Sequence, residues 1–162
     1  MAEPRRASAS APRIEGGRFL IVEARYYESI GAGLFAGATR ALEAAGATHD
    51  VVSVSGALEI PAGMAIALDA AKAAGRPYDG AVALGCVVRG ETFHFEIVAG
   101  ESARALMAMS VERKLALGNG ILTTETIAQA EERADPERGD KGGEAARAAL
   151  GLADLQRRLA RR

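Results

Sequence analysis

Ala81-Val82-Ala83-Leu84-Gly85-Cys86-Val87-Val88, running on into Arg89-Gly90-Glu91-Thr92-Phe93-His94-Phe95, is the stretch whose reading decides the fold. Asp79-Gly80 opens it with a turn signal, and the apolar run that follows is too short to cross a membrane. It reads as a strand. Gly90 then turns the chain into a helical pattern from about Thr92 to Leu117. A strand, a tight Gly turn and a helix start, in that order, is half of a parallel βαβ unit.

The same alternation extends outward in both directions. Phe19-Leu20-Ile21-Val22 is a first strand, ending near Glu23-Ala24-Arg25. Ile30, Leu34, Ala38, Ala41, Leu42 and Ala45 then recur at helical spacing until Gly46 stops the helix. Val51-Val52-Ser53-Val54 is a second strand, and an Ala-rich helix runs from Pro61 to Gly75. Gly120-Ile121-Leu122-Thr123 is a fourth strand. A short helix from Glu125 to Ala134 and a last one from Gly143 to about Arg161 complete the chain. The order β-α-β-α-β-α-β-α-α predicts an α/β fold: a four-stranded parallel sheet with right-handed crossovers and helices on both faces. Met1 to Gly16, rich in Ala, Ser, Pro and Arg, is expected to be a flexible tail, and residues 17–162 a single domain.

Composition narrows the function. Of 162 residues, 49% are hydrophobic, enough for one buried core, so wholesale disorder is excluded. Lys+Arg 20 against Asp+Glu 21 gives a net charge of -1, which argues against a nucleic-acid binder. Aromatic residues make up 4% and there is no Trp, so no base-stacking platform is expected. The lone Cys86 excludes an internal disulfide, and His49 and His94 show no metal-ligand spacing. No membrane span and no apolar leader is expected; the reading is a soluble cytoplasmic protein. The 19 Gly and many Ala bury little area each, so the core is expected to need neighbouring subunits.

In parallel sheets ligands bind at the carboxyl ends of the strands, which directs attention to residues 25–29, 55–59, 85–92 and 123–125. Ser55-Gly56-Ala57-Leu58-Glu59-Ile60-Pro61 places small residues and a carboxylate at a helix start; Glu59 either complements the helix dipole or accepts from ligand hydroxyls. The turn through Glu91 and Thr92 suits an anion, with a hydroxyl and helix N–H groups converging, and His94 stands beside it. That histidine is either a satisfied surface residue or a proton carrier near neutral pH. Cys86 reads as a small buried hydrophobe. Arg133 and Lys141 are either solvated charges or anion ligands, and Arg157, Arg158, Arg161 and Arg162 complement a helix end. Gly31-Ala32-Gly33-Leu34-Phe35-Ala36 fits the dinucleotide pattern but stands six residues past the strand end, so its glycines are read as helix-packing residues.

Four segments in register carry a resemblance: Gly56-Ala57-Leu58-Glu59-Ile60-Pro61, Leu84 to Phe95, Gly120-Ile121-Leu122-Thr123-Thr124-Glu125 and Lys141-Gly142-Gly143. Over about residues 17–160 the chain resembles the lumazine synthase family of riboflavin biosynthesis. The resemblance implies a flavodoxin-like three-layer sandwich. It also implies condensation of 5-amino-6-(D-ribitylamino)uracil with 3,4-dihydroxy-2-butanone 4-phosphate, giving 6,7-dimethyl-8-ribityllumazine, phosphate and water. No metal or organic cofactor is implied. The partners implied are the two small-molecule substrates and further copies of the chain. These form a homopentamer with active sites between subunits, assembling in some members into a decamer or icosahedral shell.

By position, Tyr26 matches a ring stacked on the pyrimidine, and Ala57, Leu58 and Glu59 match the segment holding the ribityl chain. Cys86, Val87 and Val88 match backbone at the pyrimidine edge, and Glu91 and Thr92 match the phosphate turn. Arg133 matches the phosphate's arginine, His94 the general acid/base, and Lys141 a lysine near the site. Asn119 matches a residue reaching over from a neighbouring subunit. Four positions depart from the commonest pattern: Tyr26-Tyr27 for Phe-Asn, Asn119 for Phe, and Asp140 for Asn. The loss of an aromatic at 119 implies a more polar, open site. The rivals in other classes are a non-catalytic flavin or lumazine carrier and a purely structural shell protein; a shell has no need of Glu59, Thr92, His94 and Arg133 together.

Overall fold

The computed structural model describes residues 10–162. Four strands, β1 (Arg18–Glu23), β2 (Thr48–Ser53), β3 (Gly80–Val88) and β4 (Leu117–Thr124), form one parallel sheet in the order β2-β1-β3-β4. Registers such as Ile21 opposite both Val51 and Val82, and Cys86 opposite Leu122, hold it together. The helices are α1 (Glu28–Ala44), α2 (Ile60–Ala73), α3 (His94–Arg113), α4 (Ile127–Ala134) and α5 (Lys141–Ala160), with a short 3-10 turn, Ala57–Glu59, leading into α2.

Alternation along the strands builds two unequal cores. Phe19 and Ile21 point to one face with Leu34, Leu42 and Leu150 of α1 and α5, while Leu20 and Val22 point to the other with Ile60, Met64 and Leu106 of α2 and α3. The first core holds 22 buried residues and the second 10, so α2 and α3 cover their face thinly. Only Ser102 and Leu106 of the 20 residues of α3 are buried.

Small residues make the thicker layer possible. A Cβ on Gly142 would sit 2.0 Å from the Leu34 carbonyl oxygen, and one on Gly118 would sit 1.8 Å from that of Ala145. Helix α5 therefore lies directly against the backbones of α1 and β4. Gly33, in the decoy dinucleotide pattern, faces the Ala134 carbonyl in mid-helix, which accords with its packing reading.

Three boundaries correct the sequence reading. Helix α3 begins at His94, so Thr92 precedes it instead of standing in its first turn, and it ends at Arg113 instead of near Leu117. Lys114 adopts the left-handed conformation (φ 53°) and the Leu115 N–H closes onto the Ser110 carbonyl at 3.0 Å, freeing Leu117 to open β4 beside Ala81. Part of the expected tail is packed: Ile14 is buried in the α1–α5 core and its N–H donates to the Ala45 carbonyl at 2.8 Å. The rest of that tail, Met1 to Ala9, lies outside the described residues.

Candidate active site

The carboxyl edge of the sheet carries a cleft of about 440 Å3 where the chain leaves β1, β2 and β3. Three helices begin on it. Tyr27 immediately precedes α1, Glu59 immediately precedes α2 and His94 is the first residue of α3, and all three line the cleft. Each helix start presents backbone N–H groups and the positive end of a dipole, so the cleft is suited to an anionic ligand. This follows from the parallel topology, which sends every strand end to a helix start on the same edge.

Nine residues singled out in the sequence meet here. Tyr26 and Tyr27 stand edge to face with ring centroids 5.0 Å apart, Tyr26 75% exposed and free to stack, Tyr27 half-buried against the core. Opposite them the 3-10 turn offers Ala57, Leu58 and Glu59, and β3 lays Cys86, Val87 and Val88 along the floor. Thr92 and His94 close the far side, both exposed in the single chain. Glu91 is on the exposed turn between two lining residues without lining the cleft itself.

Asn119, Arg133 and Lys141 are not brought to this cleft by their own chain. Asn119 is exposed on the edge strand β4, opposite Ala83 and thus three residues short of the partner of Cys86, and its Oδ1 accepts from the Ile121 N–H at 3.0 Å. Arg133 lies in the last turn of α4 and donates to the Gln129 carbonyl at 3.2 Å. Lys141 opens α5 and pairs with Glu144 at 3.0 Å.

Six lining residues are not among the candidates: Tyr27, Ser55, Gly56, Gly90, Phe95 and Val98. Ser55 and Gly56 follow β2, where the carboxyl-edge rule points. Val98 is one helical turn past His94 and shares its face, a spacing that was available in the sequence.

Burial pushes the Cys86 thiol up to about 11, so it is a neutral apolar wall of the cleft at neutral pH. Burial also raises the Tyr27 phenol, with smaller contributions from Cys86 and Tyr26. Behind the tyrosines, Arg25 donates to the buried Glu23 carboxylate at 3.0 Å and to Glu28 at 3.1 Å, and the Ser53 hydroxyl donates to Glu23 at 3.2 Å. The guanidinium of Arg25 is held protonated chiefly by Glu23. This network anchors the loop that presents Tyr26.

The departure at 140 has a physical basis. Asp140 takes the left-handed conformation (φ 45°), caps α5 by accepting from the Gly143 N–H at 3.3 Å, and pairs with Arg147 at 2.9 Å. Asn and Asp both tolerate that backbone and both can cap, so the exchange preserves the turn. Among the described residues, no group of three or more His, Cys, Asp or Glu side chains is arranged to hold a metal ion, and no helix is long and apolar enough to cross a membrane.

The family described as 6,7-dimethyl-8-ribityllumazine synthase matches residues 16–157. A 6,7-dimethyl-8-ribityllumazine synthase of Methylocella silvestris is 67% identical over 98% of this chain and 97% of its own length. One of Beijerinckia indica is 65% identical over 94% of this chain and 84% of its own. The protein of Rhodopseudomonas palustris called 6,7-dimethyl-8-ribityllumazine synthase 1 is 60% identical over 99% of both. With a match of this extent to the family and its relatives, the chain belongs to the 6,7-dimethyl-8-ribityllumazine synthase family.

Proposed function

We propose that this chain condenses 5-amino-6-(D-ribitylamino)uracil with 3,4-dihydroxy-2-butanone 4-phosphate to 6,7-dimethyl-8-ribityllumazine, working as a homopentamer whose active sites lie between subunits. The observation that carries the reading is the cleft on which three helix starts, a stacking tyrosine, Glu59, Thr92 and His94 converge in a member of this family. Tyr26 stacks on the pyrimidine, the backbone of Cys86 to Val88 meets its edge, and Ala57, Leu58 and Glu59 hold the ribityl chain. Glu91 and Thr92, in the turn before α3, receive the phosphate.

The chemistry asks for two substrates held together and for proton movement. The 5-amino nitrogen attacks the ketone carbon to give a carbinolamine, and loss of water gives an imine. A proton leaves the carbon next to the imine, the C–O bond to phosphate breaks, and phosphate departs with the electron pair. The enol left by this elimination takes a proton on its terminal carbon and becomes a ketone; the ribityl-bearing nitrogen attacks that new carbonyl, and a second water is lost as the ring closes. Orientation of two bound reactants can supply about 7–11 kcal/mol in ideal cases. His94, at the cleft wall beside the anion turn, moves protons, a contribution of order 10²–10⁴ in rate.

Self-association is supported by the thinly covered face. Ile66 of α2, Phe93 before α3, and Ile97, Met107 and Val111 of α3 are exposed apolar side chains on that side of the molecule. Asn119, Arg133 and Lys141, distant from the cleft of their own chain, complete that of a neighbour in this reading. A cytoplasmic setting belongs to the same reading and rests on the composition, with its lone thiol.

The test mixes both substrates with the purified protein and follows the lumazine absorbance, with sedimentation of the same sample. Turnover in a pentamer or a multiple of one is expected. A yellow chromophore that co-purifies without turnover would support the carrier reading instead, and a fully active monomer would overturn the shared-site assignment.

A further inference from the structure

Arg89 stands between β3 and the turn that leads to His94, yet it does not line the cleft, although Val88, Gly90 and Phe95 around it do. Its Nη1 donates to the Glu96 carboxylate on α3, and its Nε donates to the Glu125 carboxylate after β4 at 2.9 Å. Its guanidinium plane covers the Phe95 ring, 4.3 Å from the centroid, while its backbone N–H donates to the Thr124 carbonyl at 2.9 Å. One side chain thus ties together the first helical turn of α3, the ring of Phe95 and the end of β4. We propose that Arg89 is a positioning residue of the reaction: it holds the turn bearing Glu91, Thr92 and His94 in place through Glu96, Glu125 and Phe95, and is not itself the cation that meets the phosphate.

Two arguments exclude the direct role. The charge of Arg89 is already balanced by two carboxylates, and a phosphate approaching it would meet both. Its plane is also occupied by Phe95. The residue type fits a clamp: a planar fork reaches two carboxylates and stacks on a ring, which a lysine ammonium cannot do together. The remaining carboxylate oxygen of Glu96, Oε2, is buried without a hydrogen-bond partner, so the side-chain tie between Glu96 and the end of β3 runs through its other oxygen and Arg89. The pairs are part-exposed, with Arg89 at 40% and Glu125 at 61%, and pairs of that kind contribute little to global stability. The variants are therefore expected to fold.

The inference rests on the reading that this turn receives the phosphate and that His94 moves protons. The experiment compares Arg89→Ala, Arg89→Lys and the double variant Glu96→Ala/Glu125→Ala with the parent. Steady-state kinetics with the butanone phosphate varied are read beside hydrogen exchange of amides 90–97, with amides 81–86 as an internal control. A displaced positioning group can cost up to about 10²-fold, so Arg89→Ala and the double variant should each lose roughly 10- to 100-fold in kcat/KM. Both should also quicken exchange in the turn, and Arg89→Lys should lie between. A crippled Arg89→Ala beside a fully active double variant would overturn the clamp in favour of direct contact. Unchanged exchange in Arg89→Ala would also overturn it. Quickened exchange with unaltered kinetics would overturn the role of Arg89 in the reaction, whereas a parent protein without turnover would instead overturn the proposed function on which the inference rests.

Discussion

Cys86 lines the cleft next to the proposed pyrimidine edge, where a thiolate would be a competing nucleophile toward a ketone, and the structure predicts that it is inert. Burial raises its pKa from 9.0 to about 11. Near pH 7.5 that leaves the thiolate fraction about 100-fold below that of an unburied thiol, before restricted access is counted. Ellman's reagent should therefore react with the native protein at least about 100-fold more slowly than with the denatured chain. The same displacement makes stability depend on pH. Below about pH 9 both folded and unfolded chains keep the proton, and no difference arises. As pH rises further the unfolded chain loses its proton first, so stability falls with pH until the folded thiol titrates near 11. The full loss is about 3 kcal/mol, and about half of it is reached near pH 10. Denaturant unfolding of the parent and of Cys86→Ala, near pH 8 and near pH 10, isolates the effect: the parent should lose about 1 kcal/mol more than the variant. Turnover of Cys86→Ala should stay within a few-fold, since only backbone atoms of this residue are assigned to the substrate. Rapid stoichiometric labelling of the native thiol, or a variant without activity, would refute this account.

His94→Ala should slow kcat partially, by about 10²-fold or somewhat more, because orientation survives the loss of the proton carrier; steady-state rates across pH check it. Arg133→Ala should chiefly raise KM for the phosphorylated substrate, and an unchanged KM would sink the phosphate assignment. Asp140→Asn should stay within about 1 kcal/mol of the parent in denaturant unfolding, since Asn keeps the cap and the left-handed backbone and loses only the Arg147 pair. Asp140→Ala, losing cap and backbone tolerance together, should cost about 2–3 kcal/mol. Gly142→Ala places a methyl 2.0 Å from a backbone oxygen that cannot turn aside. Overpacking of about 3 kcal/mol against about 1 kcal/mol of gained helix propensity should lower Tm by roughly 4–8 °C in a thermal scan.

What was legible in the sequence depended on whether one residue's local signal agreed with its tertiary role. The β3 run and the Gly90 turn were plain, because an apolar run bounded by turn residues has no competing reading. Strand β4 was read three residues short at its start, because Gly118 and Gly120 look like helix stops. Their actual service is to let α5 approach, a contact between residues far apart in sequence. The end of α3 was overrun for the complementary reason: Lys114 takes the left-handed cap that usually calls for Gly or Asn, and nothing local marks it. Ile14 was lost to the tail because a single apolar residue among Ala, Pro and Arg has no period to announce it. The floor and two walls of the cleft were legible through the carboxyl-edge rule. That Arg133 and Lys141 stand apart from the cleft of their own chain was not, because spacing along the chain carries no information about how far α4 and the start of α5 lie from that edge.

The unevenness of the two cores bears on this last point. Where glycines allow backbone contact, α1 and α5 close their side of the sheet completely, with Leu34, Leu42 and Leu150 all inaccessible to solvent. The α2–α3 side has no such close approach, and most apolar residues of α3 remain at least partly exposed. The wall of the cleft that carries Thr92 and His94 is built on this thinly covered layer, and Phe93 between them is 71% exposed. A neighbour that covers Phe93 therefore also fixes the backbone on either side of it. In the pentamer proposed above, association and ordering of the turn proposed for the phosphate are linked through the same residues, so a substitution such as Phe93→Ser should weaken assembly and substrate binding together. Dilution of that variant should reduce specific activity in step with its sedimentation coefficient, whereas the parent should hold both constant over the same range. An Phe93→Ser variant that dissociates but retains full specific activity would separate the two and refute the linkage.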